Sequence, residues 1–179
     1  MKKRIAVLFM LLTSLLFSSC SSDSALRGTV GALEKPYKAS VRVSEGGDVY
    51  EAELELDENG TMTIKFLEPS LLCGISYGFG KDSGYLSYGG VSISLDGKAA
   101  KDKVSGGVYV WYDMLLPDDT PLTGRRVKEG DKTYTVISDG DTEYKFDKKT
   151  GLPVLITRSD TAISFTEFIQ NAELPEGTG

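Results

Sequence analysis

The sequence predicts a mainly β protein: one curled antiparallel sheet of about nine or more strands, with one to three short helices set against it. Three observations predict it. Apolar and polar residues alternate with period two along most of the chain, as half-buried strands require. Turn residues such as Asp57-Glu-Asn-Gly60 punctuate those runs. Only two segments after the N-terminal region have an apolar pattern that suits a helix.

The chain opens with Lys2, Lys3 and Arg4, followed by a nearly unbroken apolar run from Ile5 to Leu16. That run is shorter than the roughly 20 apolar residues of a spanning helix. Small residues follow it, as in a signal peptide. Leu16-Phe-Ser-Ser-Cys20 resembles the lipobox of bacterial lipoproteins, with Phe17 where leucine is usual. The resemblance implies cleavage before Cys20 and acylation of its thiol, palmitate being a typical chain. Acyl chains would hold the protein at a membrane surface, since each buried methylene contributes about 0.8 kcal/mol. The expected organisation is a signal peptide over 1–19, a lipidated tether over 20–24, a β domain over 25–170 and a disordered tail over 171–179. The expected location is extracytoplasmic, lipid-anchored to a bacterial membrane.

The first helical signal is Ser24 to Leu33. It places Leu26, Val30 and Leu33 on one side, with Asp23 or Ser24 as N-cap, although Gly28 and Gly31 weaken it. Strands follow. Tyr37, Val41 and Val43 alternate with Lys38, Ser40 and Arg42. From Val49 to Leu56, Tyr50, Ala52, Leu54 and Leu56 face one way and Glu51, Glu53 and Glu55 the other. After the Asn-Gly turn, Met62, Ile64 and Phe66 share a face. Pro69 then stops the strand, and Leu71, Leu72, Cys73 and Ile75 stand where a polar turn is expected. Ile75/Tyr77/Phe79, Tyr85 to Tyr88 and Val91/Ile93/Leu95 continue the scheme. A polar stretch, Asp96 to Gly107, reads as a mobile loop.

Val108 to Leu116, closed by Pro117, is apolar nearly all round. Its aromatic and β-branched content suits a strand, but alternation is lost after Trp111, and a helix is predicted. Four more strands are predicted at Lys132 to Ile137, Thr142 to Phe146, Leu152 to Thr157 and Ala162 to Phe168, with Pro153 at an edge or a strand start.

Composition narrows the function. The formal charge of −6 becomes −9 once Lys2, Lys3 and Arg4 are removed, in a mature chain of 160 residues. An acidic surface argues against nucleic acid as a partner. The sequence has no histidine, so the usual general base near neutral pH is absent. With Cys20 acylated, Cys73 has no disulfide partner; it reads as a small buried apolar residue. The Glu51/Glu53/Glu55 row reads as a solvated face, because calcium sites draw their ligands from converging loops. Asp113, Asp118 and Asp119 read as surface residues, and Asp139-Gly-Asp141 as a turn. No catalytic motif stands in the right context. No cofactor and no metal site is predicted, and the protein is read as a monomer that is not an enzyme.

So many strands present more apolar surface than two helices readily hide. The sheet either closes into a barrel or stays open with helices as a lid, leaving space for an apolar guest. Phe66, Leu67, Leu71, Leu72 and Ile75 are candidates for the lip of such a pocket, or for an exposed apolar loop that dips into a membrane or a partner; otherwise the leucines plug the base of the barrel. Tyr109, Trp111, Tyr112, Met114 and Leu115 are candidates for its lid; otherwise their helix fills the core.

One hairpin carries a family resemblance. Tyr144-Lys-Phe-Asp-Lys-Lys-Thr-Gly-Leu-Pro-Val-Leu-Ile156 resembles the Asp-x-x-Thr-Gly-Leu-Pro hairpin of outer-membrane lipoprotein carriers of the LolA/LolB type, and Ile163-Ser-Phe-Thr-Glu-Phe168 is similar to the strand that follows it there. The resemblance implies a half-open antiparallel β-barrel whose concave face, closed by helices, holds acyl chains. Cys20 makes the chain more similar to the anchored LolB than to the soluble LolA, which lacks a lipobox. The expected function is that of a membrane-anchored, non-catalytic lipoprotein binding a lipid or acyl chain. The rival is a filled barrel acting as a cell-envelope sensing or protein-interaction module.

Overall fold

The computed structural model describes residues 23–81, 83–96, 107–117 and 120–170. The signal peptide, Cys20, the tail over 171–179, Asp118, Asp119 and nearly all of the expected loop between Asp96 and Gly107 lie outside these residues.

The alternating segments form eleven strands: β1 (Tyr37–Glu45), β2 (Asp48–Leu56), β3 (Met62–Glu68), β4 (Ser76–Phe79), β5 (Ser83–Tyr88), β6 (Val91–Asp96), β7 (Thr123–Glu129), β8 (Lys132–Asp139), β9 (Thr142–Asp147), β10 (Pro153–Arg158) and β11 (Thr161–Gln170). They make one sheet in the order β6-β5-β4-β3-β2-β1-β11-β10-β9-β8-β7. Every pairing joins consecutive strands except that of β1 with β11, which closes the two halves around a central strand. β6 and β7 stay apart as free edges, so the sheet is a half-open barrel.

Helix α1 (Asp23–Val30) runs into a 3-10 turn at Gly31–Leu33. Leu26, Val30 and Leu33 are its buried side, as their spacing predicts. Asp23 Oδ1 accepts the backbone N–H of Leu122 at 3.0 Å, and Arg27 donates to the Thr120 carbonyl at 2.7 Å. Gly124 makes the docking possible: a Cβ there would lie 2.5 Å from a Leu26 methyl. Helix α2 (Gly107–Leu115) occupies the connection between the two edge strands.

β7 has no counterpart in the sequence reading. Thr-Gly-Arg-Arg-Val-Lys-Glu has no apolar period, because most of its side chains are exposed and only its backbone pairs with β8. Its charges also discourage pairing of the free edge with another chain.

Residues directly opposite one another in an antiparallel ladder share a face. Register therefore turns separate apolar patterns into rows. Phe168, Ala39, Leu54, Ile64, Tyr77, Leu86 and Ile93 form one such row across seven strands, β11-β1-β2-β3-β4-β5-β6. Ile137, Tyr144, Ile156, Ile163, Val43 and Tyr50 form a second, reaching the other way to β8. Both rows line the concave face.

The opposite face is wet. Glu51, Glu53 and Glu55 are exposed there. Lys65 pairs with Glu53 at 2.9 Å and Lys38 with Glu55 at 2.9 Å. Exposed pairs of this kind contribute about 0–1 kcal/mol. Tyr85 lies flat over Gly78, where a Cβ would collide with its ring, and its hydroxyl meets that of Thr63 at 2.9 Å. The Asp139-Gly-Asp141 segment forms the expected turn between β8 and β9, and the buried Asp139 accepts a hydrogen bond from the Thr120 hydroxyl.

The Asp-x-x-Thr-Gly-Leu-Pro segment is a built turn. Asp147 Oδ1 accepts the N–H groups of Lys149 and Thr150 at 2.8 and 3.0 Å. Gly151 takes a φ of +72°, which a side chain would resist. Its N–H reaches the Asp147 carbonyl at 2.8 Å, and Pro153 starts β10. Each of these residues has a structural task in the hairpin.

Candidate functional site

The site is built by α2 lying across the concave face. Its sequence, Gly-Val-Tyr-Val-Trp-Tyr-Asp-Met-Leu, is apolar or aromatic save for Asp113, which is exposed. Trp111, Met114 and Leu115 are each no more than 1 % exposed, so they fill the centre of the sheet's curve. Tyr109 and Tyr112 are half-buried against Phe79, with ring centroids 6.2 and 4.6 Å away. Trp111 packs against Tyr50 at 5.2 Å and Phe66 at 5.4 Å.

Two charged side chains hold α2. From its middle, Trp111 Nε1 donates to Glu45 Oε2 at 3.2 Å. The Glu45 carboxylate also lies over Gly107, where a Cβ would collide with Oε2. Toward its end, Arg158 of β10 donates to Asp113 Oδ2 at 2.5 Å and to the Thr142 hydroxyl at 2.7 Å.

A cavity of about 150 Å³ opens beside the start of α2. Glu45, Tyr50, Phe66, Leu72, Ile75, Tyr77, Gly107, Val108 and Trp111 line it. Of the residues singled out from sequence, Phe66, Leu72, Ile75 and Trp111 meet here. Met114 and Leu115 are buried in the core and are not among the cavity's lining residues. Leu67 falls at the register shift between β2 and β3, where Ala52 pairs with Phe66 and Glu51 with Glu68.

The loop after β3 is tied to itself. Leu72 N–H reaches the Pro69 carbonyl at 2.8 Å, Ile75 N–H the Leu72 carbonyl at 3.0 Å, and Gly74 N–H the Phe66 carbonyl at 3.0 Å. This turns Leu72 and Ile75 onto the core and sends Leu71 outward, 87 % exposed. The loop leucines therefore do not jointly plug the barrel. Cys73, expected to be buried, is exposed for the same reason.

Five lining residues escaped the sequence reading as site residues: Glu45, Tyr50, Tyr77, Gly107 and Val108. Tyr50 and Tyr77 were visible only as strand positions, because register decides which strand residues become neighbours. Glu45 precedes Gly46-Gly47 and has no local signal beyond the end of a strand. The Tyr50 phenol is held above its usual pKa, first by desolvation and then by the negative charges of Asp48 and Glu45. The Tyr112 phenol is also raised, chiefly by desolvation.

Beyond α2, the apolar side chains of this face become exposed. Tyr88, Val91 and Ile93 on β5 and β6 are 62, 67 and 56 % exposed. Ile64, in the same row as Ile93, is fully buried. Among the described residues, no group of acidic or cysteine side chains is placed to hold a metal ion, and no helix is long and apolar enough to cross a membrane.

No protein-family model matches the sequence, and a search of curated proteins gives no match. Solved structures do match. An uncharacterized conserved protein from Thermus thermophilus superposes with a TM-score of 0.56 at 14 % identity, over 84 % of this chain and 88 % of that one. The two chains share a fold. MucB matches at a TM-score of 0.49 and 12 % identity, over 86 % of this chain and 60 % of its own. The LolA superfamily protein NE2245 from Nitrosomonas europaea matches at 0.39 and 9 %, over 86 % and 94 %. The architecture implied by the LolA/LolB resemblance, a half-open antiparallel sheet with helices in its concave face, is the architecture observed here.

Proposed function

We propose that the protein is a membrane-anchored, extracytoplasmic lipoprotein that holds a lipid or acyl chain on the uncovered part of its concave face, without covalent chemistry. One observation carries this reading. The registered apolar row passes from Ile64, fully buried, through Tyr77 and Leu86 to Ile93, more than half exposed. Soluble monomers rarely leave a contiguous apolar surface uncovered without a use for it.

The mechanism is burial. Each methylene taken from water onto this face contributes about 0.8 kcal/mol, and association costs on the order of 4–15 kcal/mol. A long chain is therefore favoured over a short one. Acylation at Cys20 would set the protein beside a bilayer that supplies such chains. The test is native mass spectrometry of the purified protein with organic extraction of co-purified lipid, together with uptake of a fluorescent fatty acid. Retained lipid and saturable uptake are expected. A clean apo mass with no uptake would end this reading.

A second reading is favoured by the burial of Trp111, Met114 and Leu115, which fill the curve of the sheet. In it the protein is an envelope sensing or interaction module, and the exposed Tyr88/Val91/Ile93 face meets a protein. A clean apo mass combined with co-purification of a cross-linked envelope protein through β6 would favour it.

A further inference from the structure

The cavity beside α2 differs in chemistry from the outer apolar strip. Aromatic rings form much of its wall, with Leu72, Ile75 and Val108 beside them. Tyr50, Phe66, Tyr77 and Trp111 form a chain of ring contacts, with centroids 5.2 Å apart for Tyr50 and Trp111, 5.4 Å for Phe66 and Trp111, and 6.2 Å for Phe66 and Tyr77. One wall is the carboxylate of Glu45. Aromatic faces carry negative potential at their centres, and a desolvated cation is attracted to them, most strongly to tryptophan. A carboxylate beside such faces adds a full opposite charge.

Glu45 has an anionic rather than a cationic neighbour in its own ladder. Among the described residues no lysine or arginine forms an ion pair with it. Its cross-strand partner in the β1–β2 ladder is Asp48, a second anion. Trp111 Nε1 takes one acceptor position on Oε2, and a carboxylate offers about four. The start of α2 supplies roughly half a positive charge, less than the carboxylate carries. The site is thus an anionic, aromatic pocket in an acidic protein of formal charge −6.

Size selects the guest. A cavity of about 150 Å³ is comparable to one that accepts benzene. A trimethylammonium group is of similar bulk, whereas a long acyl chain does not fit. Its methyls spread the positive charge over an apolar surface, which matches rings better than a compact, strongly hydrated ammonium does.

We propose that this cavity is a binding site for an alkylated ammonium group of the choline type, held against Tyr50, Phe66, Tyr77 and Trp111 with Glu45 as its counter-charge. The site stands on its own residues and does not depend on whether an acyl chain lies on the outer strip. A lipid headgroup and a free solute could each present this group.

Trp111 is the single tryptophan of the chain, so its fluorescence reports on the cavity directly. The full chain in a neutral detergent is titrated with choline, with tetramethylammonium and with 3,3-dimethylbutanol, the uncharged analogue of choline. The two cations are expected to change Trp111 emission saturably, with the neutral analogue at least about tenfold weaker. Glu45→Gln keeps an oxygen for the Trp111 N–H and removes the charge; choline affinity is expected to fall about tenfold or more. Phe66→Leu, which fills the space without a π face, is expected to weaken both cations while the far-ultraviolet circular dichroism stays unchanged. Phosphatidylcholine and phosphatidylglycerol vesicles then separate the sources. A response to phosphatidylcholine as well as choline assigns a headgroup, and a response to choline alone assigns a solute; either upholds the site. Equal binding of choline and its neutral analogue, an unaltered response in folded Glu45→Gln, or no response to any cation overturns it.

Discussion

Trp111 Nε1 and Glu45 Oε2 lie 3.2 Å apart, and this hydrogen bond joins the helix between the sheet's two edge strands to the end of its central strand. The contact explains how an α2 of only nine residues holds one position. Its buried side chains supply adhesion, which is non-directional. The Trp111–Glu45 bond at its centre and the Arg158–Asp113 pair two residues further on supply orientation.

Trp111→Phe tests the first of these. Phenylalanine fills much of the same volume but leaves the Glu45 carboxylate without its indole donor. Stability is expected to fall by about 1–3 kcal/mol, combining the lost bond with a smaller void. Trp111→Ala should cost more, about 3–5 kcal/mol. A negligible loss for Trp111→Phe in denaturant melts would mean that the hydrogen bond contributes nothing.

Gly107→Ala tests the close approach of helix and carboxylate. The new methyl would collide with Glu45 Oε2, so the side chain of Glu45 must swing away from Trp111. A loss of about 1–2 kcal/mol is expected. In a Glu45→Ala background the same substitution should be neutral or slightly stabilising, since alanine is the better helix former. Additive effects in this double-mutant cycle would show that the two residues do not compete for space.

Ile93→Glu separates ligand binding from folding. Ile93 is 56 % exposed, and changes at such positions usually stay within about 0.5 kcal/mol. Uptake of a fluorescent fatty acid is expected to be lost with little change in melting temperature. Retained uptake would move the acyl site away from β6.

Acid should loosen the hairpin that carries the family resemblance. Backbone N–H groups of Thr150 and Lys149 hold the Asp147 carboxyl below its usual range. Glu143 is lowered too, chiefly by its hydrogen bond from Arg125. A carboxylate with a depressed folded pKa stabilises the fold above its unfolded pKa of about 4, and that contribution is lost as pH falls through the folded value. Stability measured from about pH 5 down to about pH 2 should therefore drop. Asp147→Asn, which retains an oxygen for the same N–H groups, should show a shallower drop. A slope unchanged by the substitution would remove Asp147 from the account.

Much of this molecule was legible because its strands each have one wet and one dry face. Glu51, Glu53 and Glu55 against Ala52, Leu54 and Leu56 announce a half-buried strand without any partner being known. The Asp147 turn was legible because its chemistry is local. β7 was not: an edge strand whose side chains are mostly exposed leaves no period to read. Cys73 was misread because a self-bonded loop can expose a residue that composition alone would bury.

By itself, the sequence determined the strand faces, the turns, both helices and the acidic, histidine-free chemistry, since each of these arises from residues near one another along the chain. Only the tertiary structure decided that the sheet stays open, that Trp111 fills its curve, and that Glu45, Tyr50, Phe66 and Tyr77 surround one cavity. The physical reason is register: which strand positions face each other is set by long-range pairing and by the path of α2 across the sheet, and neither leaves a mark in any local window of sequence.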